Sequence, residues 1–379
     1  MLIGILKETG DEKRVVVLPE IVQQLTKMGI TVQVEAGAGI SAYASDDDYK
    51  TAGAAIASRD SIITSADLLL KIQPLSSDEV KKMKQGAVYV CFMQALFNTD
   101  KVLETVNQKL TLFSLDMIPR TTRAQSMDIL SSQATVAGYK AVLEAANQLP
   151  RFFPLFMTAA GSITPAKVLI IGAGVAGLQA IATAKRLGAV VEAFDTRSAV
   201  KEEVQSLGAK FVEVEGAADS KAAGGYAVEQ SKEYLDKQKQ RIHESAAKSD
   251  VIITTAQIPG RKAPLLITKE TVGAMRAGSV IVDLAASTGG NCELTKNNEV
   301  TITANGVKIV GNSNFPSQMP SDASKMFGKN VFNFIKLILT KEGQINLNFE
   351  DDIVKGTCVA HNGDVVNDRV KQSLAQPTA

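Results

Sequence analysis

The stretch KVLIIGAGVAGLQAIATAKRLGAVVEAFDTR, Lys167 to Arg197, decides the fold. Four apolar β-forming residues precede Gly172, as in a buried parallel strand, and a helix-forming run follows the glycines. Gly172 permits the tight turn, Gly174 lets a pyrophosphate approach the backbone, and Gly177 lets the helix pack closely on the strand. This strand–turn–helix context is the one that a dinucleotide-binding fingerprint requires.

An acidic residue at the end of the next strand indicates which dinucleotide is bound. Asp195 follows Val190–Phe194 and lies 18 positions after Gly177, where a carboxylate can accept hydrogen bonds from both hydroxyls of the adenosine ribose. Because a carboxylate repels a 2′-phosphate, the pattern favours NAD(H) over NADP(H). Arg197 leaves the alternative open, since an arginine near this point can hold that phosphate. A glycine-rich turn that binds no nucleotide is the structural alternative.

Short apolar runs alternate with helical patterns along the whole chain, which is typical of an α/β fold with parallel sheets. We predict two Rossmann-like, doubly wound parallel-sheet domains separated by a cleft. The first comprises residues 1–130 with 317–379, and the second comprises residues 131–316. The predicted strands are Ile3–Leu6, Thr31–Glu35, Asp67–Ile72, Ala87–Cys91 and Leu110–Leu115 in the first domain, and Val168–Ile171, Val190–Phe194, Lys210–Val214, Val251–Thr255, Val280–Leu284 and Lys308–Val310 in the second.

Three other segments complete the predicted organisation. A long helix is expected from Ser131 to Leu149, with small apolar residues at three- and four-residue spacing on one side. The loop at 151–167 is interpreted as an irregular crossing between the domains. Residues 215–230 begin with EGAADSKAAGGY, which offers little to bury, and predict a mobile lid over a ligand. A plain surface connection is the alternative.

Composition excludes several classes of protein. The chain has 379 residues with 41 Lys plus Arg and 40 Asp plus Glu, so its charge gives no reason to expect nucleic acid or an anionic membrane as a partner. Cys91, Cys292 and Cys358 lie far apart without metal-ligand spacing, which predicts buried, reduced thiols, a cytoplasmic protein and no metal site. The longest apolar run, Val331–Leu339, is far shorter than the ~18 residues of a spanning helix, so we expect no membrane insertion.

A dense polar cluster, PRTTRAQSMDILSSQ at Pro119–Gln133, precedes and enters the long helix. The residues that can converge on one side of it are Arg120, Gln125, Asp128 and Ser131. Ordinary capping of the helix by Asp and Ser is the structural alternative. The predicted position between domains favours a ligand site, because open α/β folds bind ligands at the carboxyl ends of their strands.

General bases are scarce in this sequence. Dehydrogenation of an alcohol or amine requires a group that takes a proton. The chain has two histidines, His243 and His361, both in segments that predict exposure to solvent, although Lys71 and several carboxylates remain. Hydride transfer between two nicotinamides needs no proton exchange at the substrate and is therefore compatible with this shortage.

Several motifs resemble the alanine dehydrogenase and NAD(P) transhydrogenase superfamily. KETGDEKRVVVLP (Lys7–Pro19) and the fingerprint resemble its paired signatures. RAQSMDILSSQ (Arg123–Gln133), AGGYAVE (Ala223–Glu229) and IPGRKAPLLIT (Ile258–Thr268) resemble more specifically the NAD(H)-binding subunit of proton-translocating NAD(P) transhydrogenase. The resemblance extends over essentially the whole chain.

The resemblance implies roles for matching residues. The pyrophosphate of NAD(H) would lie on Gly172, Gly174 and Gly177, and its adenosine half on Val175, Asp195, Thr196 and Arg197. The nicotinamide end would be held by Arg120, Gln125, Asp128 and Ser131, with Arg120 and Ser131 on the carboxamide and Gln125 directed toward a partner nucleotide. The lid and its stem would include Gly225, Tyr226 and Gln238, and backbone along the cofactor would come from Ala256 and Gln257.

Departures from the alanine dehydrogenase pattern separate the two branches. That pattern shares Arg14 and Lys71 but has a catalytic histidine where Gln94 stands and an aspartate where Ser287 stands. The resemblance thus implies that the acid and base of an alanine-type reaction are missing. An alanine dehydrogenase-like, NAD-dependent amino-acid dehydrogenase is the alternative function.

For the assembly, the resemblance implies a homodimer that acts only with partner subunits. A separate NADP(H)-binding subunit would hold NADP⁺ for a Re/Si-specific hydride transfer from NADH, and membrane-spanning subunits would couple the transfer to proton translocation. The chain would then lie on the cytoplasmic face of the inner membrane through those partners.

Overall fold

The computed structural model describes residues 1–214, 216, 231–258 and 260–375. The chain divides into two compact units, Met1–Gln133 with Pro316–Ala379, and Ala134–Phe315. Within the described ranges, no helix combines the length and the apolar character that crossing a membrane requires.

Elements are numbered along the described chain. The strands are β1 Leu2–Ile5, β2 Thr31–Glu35, β3 Ala55–Ala57, β4 Leu68–Leu70, β5 Val88–Cys91, β6 Thr111–Ser114, β7 Phe156–Thr158, β8 Gly161–Ile163, β9 Lys167–Ile171, β10 Val190–Phe194, β11 Lys210–Phe211, β12 Val251–Thr254, β13 Val280–Asp283, β14 Val300–Ile302, β15 Lys308–Val310, β16 Cys358–His361 and β17 Asp364–Val365. The α-helices are α1 Pro19–Lys27, α2 Asp46–Thr51, α3 Arg59–Ser65, α4 Ser77–Lys82, α5 Thr99–Asn107, α6 Ile129–Gln148, α7 Val175–Arg186, α8 Lys201–Ser206, α9 Lys232–Ala246, α10 Lys269–Ala274, α11 Pro320–Ile335, α12 Asp352–Thr357 and α13 Asp368–Ala375.

The first unit is built on an eight-stranded sheet of order β3-β2-β1-β4-β5-β6-β16-β17. The strands from β3 to β6 are parallel, and the hairpin β16–β17 extends the sheet antiparallel to β6. The parallel section has the 3-2-1-4-5-6 order of a doubly wound Rossmann sheet. Central strands such as β4 are apolar and buried along their whole length, as expected when helices cover both faces.

The second unit has a seven-stranded sheet of order β11-β10-β9-β12-β13-β15-β14. Its strands are parallel except β14, which runs antiparallel to β15 at the edge. Without β14, the order is again 3-2-1-4-5-6, which confirms the predicted Rossmann-like fold class. The strand β9 of the fingerprint is central, between β10 and β12.

Several short elements differ from the predictions. Strands β3 and β14 and helix α3 were not predicted, because each is short and lies at a partly exposed edge without a long apolar run. Residues 156–163, predicted as part of an irregular crossing, form the two-stranded hairpin β7–β8. Helix α6 begins two residues earlier than predicted, at Ile129 rather than Ser131.

The apolar side of α6 contributes to the core of the second unit. Ala141, Val142 and Ala145 are fully buried there, as their spacing predicts. Gly138, on the same helix, lies against the start of α7, where an added Cβ would be 2.1 Å from the carbonyl oxygen of Ala176. The two helices therefore approach so closely that only glycine fits at residue 138.

We expect Gly138→Ala to lower the free energy of unfolding by about 1–3 kcal/mol, because its methyl group would displace the backbone of α7. The matched control is Gly273→Ala in α10, since nothing lies within 4 Å of a Cβ added there. This control should be neutral or stabilising by about 0.4–1 kcal/mol. Urea unfolding of both variants measures the difference, and equal effects would contradict the packing argument.

Candidate functional site

The carboxyl ends of three parallel strands meet beside the fingerprint. Strand β9 pairs with β10 on one side and β12 on the other, and the last residues of all three are in register. The boundary between β9 and β12 is the point at which the strand order reverses, where open α/β sheets bind ligands. We call the residues that follow these strands the fingerprint edge, namely Gly172–Gly177, Asp195–Arg197 and Thr255–Gln257.

The three fingerprint glycines differ in their surroundings. Gly172 has a φ of +96°, and a Cβ there would lie 2.5 Å from Oγ1 of Thr255. A Cβ on Gly177 would lie 1.8 Å from the carbonyl oxygen of Gly172, so the helix can start directly behind the strand only with glycine at 177. Around Gly174, the nearest atom to an added Cβ is Nη2 of Arg197 at 3.9 Å, which leaves its backbone open to a ligand.

The N-terminus of α7 has the character of an anion site. Gly174, its N-cap residue, provides no side-chain cap, and the first turn contains no acidic residue among the described positions. Its backbone N–H groups and the positive end of its dipole therefore favour a phosphate group. Val175, the first residue of α7, is an apolar side chain that is 43% exposed at this edge.

Asp195 lies at the end of β10, and its carboxylate accepts four N–H groups. Oδ2 accepts from the backbone N–H of Ala173 at 2.7 Å and from Nη2 of Arg197 at 2.8 Å. Oδ1 accepts from the backbone N–H and Nε of Arg197 at 2.8 and 2.9 Å. The hydrogen bond with Asp195 raises the pKa of Arg197. The arginine that would hold a 2′-phosphate is thus paired with the carboxylate that would repel one.

Helix α9 presents a buried polar face toward this site. Burial raises the pKa of Tyr234, and the charge of Asp195 raises it further. One turn later, Gln238 is only 4% exposed, and its Oε1 has no hydrogen-bond partner among the residues that the structure describes. Gly225 and Tyr226, like most of the predicted lid at 215–230, lie outside the described residues. A buried acceptor without a partner is the kind of group that a ligand can satisfy.

The turn after β12 is tied to both neighbouring strands. Thr255 donates its hydroxyl to the carbonyl of Gly172 at 3.0 Å, and Ala256 donates its N–H to Oδ1 of Asn291 at 3.1 Å. The exposed Gln257 donates Nε2 to the carbonyl of Leu284 at 3.0 Å. The backbone of this turn is therefore fixed beside the fingerprint. Thr196, half-buried, completes the predicted residues at the edge.

In the first unit, Asp128 and Ser131 form a local cap at the start of α6. Asp128 accepts the backbone N–H of Ser131 at 3.0 Å and its hydroxyl at 2.6 Å. The structure therefore brings these two predicted residues together and supports the capping role. Arg120 and Gln125 are exposed, with Gln125 on the 3₁₀ helix of residues 122–127.

The segment that carries Gln125 is anchored on both sides. Ala124 and Met127 are buried in the core of the first unit. Arg123 binds Asp351 with two hydrogen bonds of 2.6 and 2.8 Å and also contacts Asp352. The carbonyl of Ser126 accepts hydrogen bonds from two asparagines of α11. Gln125 thus projects from a rigid support, and Arg123 supports that segment through ion pairs, a role that was not predicted from the sequence.

Both cations shared with the alanine dehydrogenase pattern form buried ion pairs. Lys71 is fully buried and binds Glu8 at 2.5 Å. Arg14 binds Glu12 through Nε and Nη2 at 2.8 and 2.7 Å. Burial raises the pKa of Glu8, although the Lys71 ammonium acts in the opposite direction. Lys71 is therefore held by a carboxylate of its own unit.

The two replaced positions lie on loops. Gln94 is exposed with a φ of +52°, and its backbone N–H donates to Oδ1 of the buried Asp116 at 3.0 Å. Ser287 is exposed in the 3₁₀ helix that follows β13. Neither side chain is a base that titrates near neutral pH.

The prediction that both histidines are solvated is wrong. His243 is half-buried, and its Nδ1 shares a hydrogen bond of 3.0 Å with Oγ1 of Thr271. His361 is also half-buried, shares one of 2.9 Å with Thr111 and packs on the ring of Phe349. Their charged neighbours in the sequence hid the packed faces. His243 lies near the end of α9 that leads into β12, the opposite end of the strand from the fingerprint edge.

The three cysteines are free and buried, as predicted. Burial raises the pKa of the Cys292 thiol to about 11 and that of Cys358 to about 12, so neither forms an appreciable thiolate near neutral pH. Within the described ranges, no cluster of three or more His, Cys, Asp or Glu side chains has the arrangement of a metal site.

Two residues beside the fingerprint edge, Asp283 and Asn291, were not predicted from the sequence. Asp283 is an acidic residue at the end of a buried strand, the same signal that identified Asp195. Asn291 gives no comparable signal, because its contacts join residues 27 and 35 positions apart.

Comparison with known proteins identifies relatives over the whole chain. The profile described as "Alanine dehydrogenase/PNT, N-terminal domain" matches residues 4–137, and "Alanine dehydrogenase/PNT, C-terminal domain" matches residues 141–368. The chain is 47% identical over 377 residues to the first of the polypeptides that form NAD(P) transhydrogenase subunit alpha in Rhodospirillum rubrum, and the match covers 97% of this chain and 98% of that protein.

Two solved structures resemble the chain. The crystal structure of transhydrogenase from Sinorhizobium meliloti has a TM-score of 0.88 and 43% identity, and the match covers 97% of this chain and all of that one (100%). An L-alanine dehydrogenase structure has a TM-score of 0.82 at 24% identity, with 99% of each chain covered. The second likeness extends to the fold alone.

We expect Lys71→Met to destabilise the protein by about 3–5 kcal/mol near pH 8, because the Glu8 carboxylate stays buried without its cation. Without Lys71 the pKa of Glu8, already raised by burial, rises further, so the group takes up a proton as the pH falls. The destabilisation should therefore shrink toward about pH 5.

The matched control is Lys84→Met, which removes the exposed pair with Asp67 and should cost less than about 1 kcal/mol. Chemical unfolding of both variants at the two pH values measures the effect. Equal stability of the two variants would show that the buried pair does not support the first unit.

Proposed function

Because the chain belongs to the alanine dehydrogenase/PNT family, we propose that it is the NAD(H)-binding subunit of a proton-translocating NAD(P) transhydrogenase. The observation that carries the proposal is the fingerprint edge, with its three glycines, uncapped α7 and Asp195 at the point where the strand order reverses. Near-complete coverage of both chains at 47% identity supports the transhydrogenase branch.

The residues present fit one half of a dinucleotide. The backbone at Gly172–Gly177 and the first turn of α7 bind the pyrophosphate through N–H groups. Asp195 binds the ribose hydroxyls, and its charge disfavours a 2′-phosphate. The exposed Val175, with Thr196 and Arg197, lies against the adenosine half, and the buried Oε1 of Gln238 awaits a donor. Ala256 and Gln257 contribute backbone along the cofactor.

The nicotinamide end is assigned to the first unit. Arg120 and Ser131 hold the carboxamide, and Asp128 fixes the Ser131 hydroxyl by accepting its hydrogen bond. Gln125 projects into solvent from its anchored 3₁₀ turn, a position suited to a nucleotide on another subunit. These residues orient a ring, and none of them has to exchange a proton.

The chemistry is a hydride transfer without proton exchange. NADH supplies the hydrogen and its electron pair from C4, and C4 of NADP⁺ accepts both, so one dinucleotide is oxidised as the other is reduced. Such a reaction requires a short distance and exclusion of water rather than a general base. The absence of a titrating side chain at Gln94 and Ser287, and the hydrogen-bonded positions of both histidines, agree with it.

We also propose that the chain is a homodimer. Hairpin β7–β8 forms a separate two-stranded sheet whose apolar side chains Phe156, Met157 and Ile163 are exposed, Met157 by 78%. A two-stranded ribbon is marginally stable alone, and an exposed apolar patch marks an interaction surface. A second copy of the chain is the proposed cover. An NADP(H)-binding subunit and membrane-spanning subunits complete the assembly, which places the chain on the cytoplasmic face of the inner membrane.

The alternative function is an alanine dehydrogenase-like reaction. Arg14 and Lys71, which that branch shares, favour it, and the fold is common to both branches. Its acid and base would have to be supplied at positions where this chain has Gln94 and Ser287.

Isotope tracing tests the proposed reaction. With NADH carrying deuterium at C4, we expect the chain alone to give no labelled NADPH, and the chain with its NADP(H)-binding partner to transfer the label. Gln125→Ala should slow transfer by about ten-fold or more while NADH affinity changes little, because positioning acts on the rate. Ser77→Ala, remote from the 3₁₀ turn in sequence, serves as a surface control.

Two results would contradict the proposal. One is the absence of label transfer in a mixture whose partner subunit binds NADP⁺. The other is formation of NADH from alanine and NAD⁺ by the chain alone, which would favour the amino-acid dehydrogenase.

Asp195→Asn should weaken NADH binding by at least about ten-fold, because hydrogen bonds to a charged group contribute roughly 1.5–3 kcal/mol each. Asp250→Asn is the matched control. Asp250 also pairs with an arginine, Arg151 at 2.9 Å, and accepts a backbone N–H, that of Lys167, but at the opposite end of β9. Calorimetric titration with NADH compares the variants, and an equal loss in both would remove Asp195 from the binding site.

A further inference from the structure

A buried carboxylate organises the loop that follows β13. Asp283 is fully buried, and Oδ1 accepts the hydroxyl of Thr254 at 2.9 Å and the N–H of Ala285 at 3.0 Å. Oδ2 accepts from the N–H groups of Asn291 and Cys292 at 2.8 and 3.0 Å, and from the hydroxyl of Thr295 at 2.7 Å. All five donors are neutral groups. Burial of a carboxylate is costly unless it is hydrogen-bonded, so these donors hold the loop back against the sheet.

The loop brings one buried side chain against the fingerprint edge. Asn291 is fully buried; its Nδ2 donates to the carbonyls of Ala256 at 2.9 Å and Pro264 at 2.8 Å, and its Oδ1 accepts the N–H of Ala256 at 3.1 Å. The side-chain amide thus pairs with both backbone groups of Ala256, as a neighbouring strand would. Without it, that N–H and carbonyl would have no partner from the sheet, because β12 ends two residues earlier.

The turn that Asn291 fixes also contacts the first fingerprint glycine. Thr255 donates its hydroxyl to the carbonyl of Gly172 at 3.0 Å. The chain of contacts therefore runs from Asp283 through Asn291 to the Thr255–Ala256 turn and on to Gly172. It crosses the point at which the strand order reverses, just beyond the last paired residues of β9 and β12.

We infer that Asp283 and Asn291 are positioning residues, which fix the Thr255–Ala256 backbone in the conformation that lies along the dinucleotide. This inference rests on the proposed function for the identity of the ligand. Both residues act through the backbone of the turn, and neither is assigned a contact with the cofactor. A turn that is already ordered loses no conformational freedom on binding, so the network raises affinity through preorganisation.

The second unit offers a matched control at the opposite edge of the same sheet. Asn305 precedes β15, and its Nδ2 donates to the carbonyls of Val272, Gly273 and Met275 at 3.0, 3.4 and 3.3 Å. It is the same residue type with the same task of holding backbone carbonyls. Its removal tests the general cost of losing such contacts, away from the fingerprint edge.

We expect Asn291→Ala and Asn305→Ala to lower the melting temperature by similar amounts. Asn291→Ala alone should weaken NADH binding, by about ten-fold, whereas Asn305→Ala should stay within about two-fold of the unchanged chain. Thr255→Val, which removes one hydroxyl without changing the volume, should weaken binding by about three- to five-fold with a smaller effect on melting. It keeps the test valid if Asn291→Ala folds poorly.

Titration of the full chain with NADH and thermal unfolding of the same samples provide both readouts. If the unchanged chain binds NADH and both Asn291→Ala and Thr255→Val bind as tightly as Asn305→Ala, the positioning role is overturned while the proposed function stands. If the unchanged chain does not bind NADH, the proposed function fails and this inference fails with it.

Discussion

Helix α7 begins so close behind β9 that a Cβ on Gly177 would lie 1.8 Å from the carbonyl oxygen of Gly172. The rest of the second unit depends on this contact. It directs the first N–H groups of α7 toward the carboxyl edge of the sheet, and it brings the start of α7 to where Gly138 of α6 packs on Ala176. A side chain at either glycine would move the helix, and with it the electrostatic character of the whole edge.

The first unit uses its buried charges for internal structure. Lys71 and Arg14 are the cations common to both branches of the family pattern, yet each is neutralised by a glutamate of the same unit. Retention of a cation is therefore a weak argument for retention of a reaction, because a buried pair has to be kept whole for stability. The fold is no better a guide, since an L-alanine dehydrogenase shares it at a TM-score of 0.82. The distinction between the branches falls on single side chains such as Gln94.

Much of the architecture could be predicted because its signals are local. Central strands such as β10 are continuous apolar runs, and the prediction placed its ends correctly. Strand β14 and hairpin β7–β8 were missed because each strand is three residues long and exposed, so no periodicity develops. The histidine exposures were wrong for a related reason, since the sequence around His243 shows the charged face of α9 and hides its packed one. Contacts such as that of Asn291 with Ala256 join distant residues and are set by the fold as a whole.

The pairing of Asp195 with Arg197 has a consequence for how tightly any ribose is held. A carboxylate offers about four lone-pair positions, and four N–H groups already occupy them. Two hydroxyls can bond to this carboxylate only by exchanging with donors that are in place, most readily the guanidinium. Association is then a swap of one set of partners for another, with a small net gain in free energy. A dinucleotide held on such terms can leave quickly once its hydride is gone, as a carrier that must be reloaded in every cycle requires.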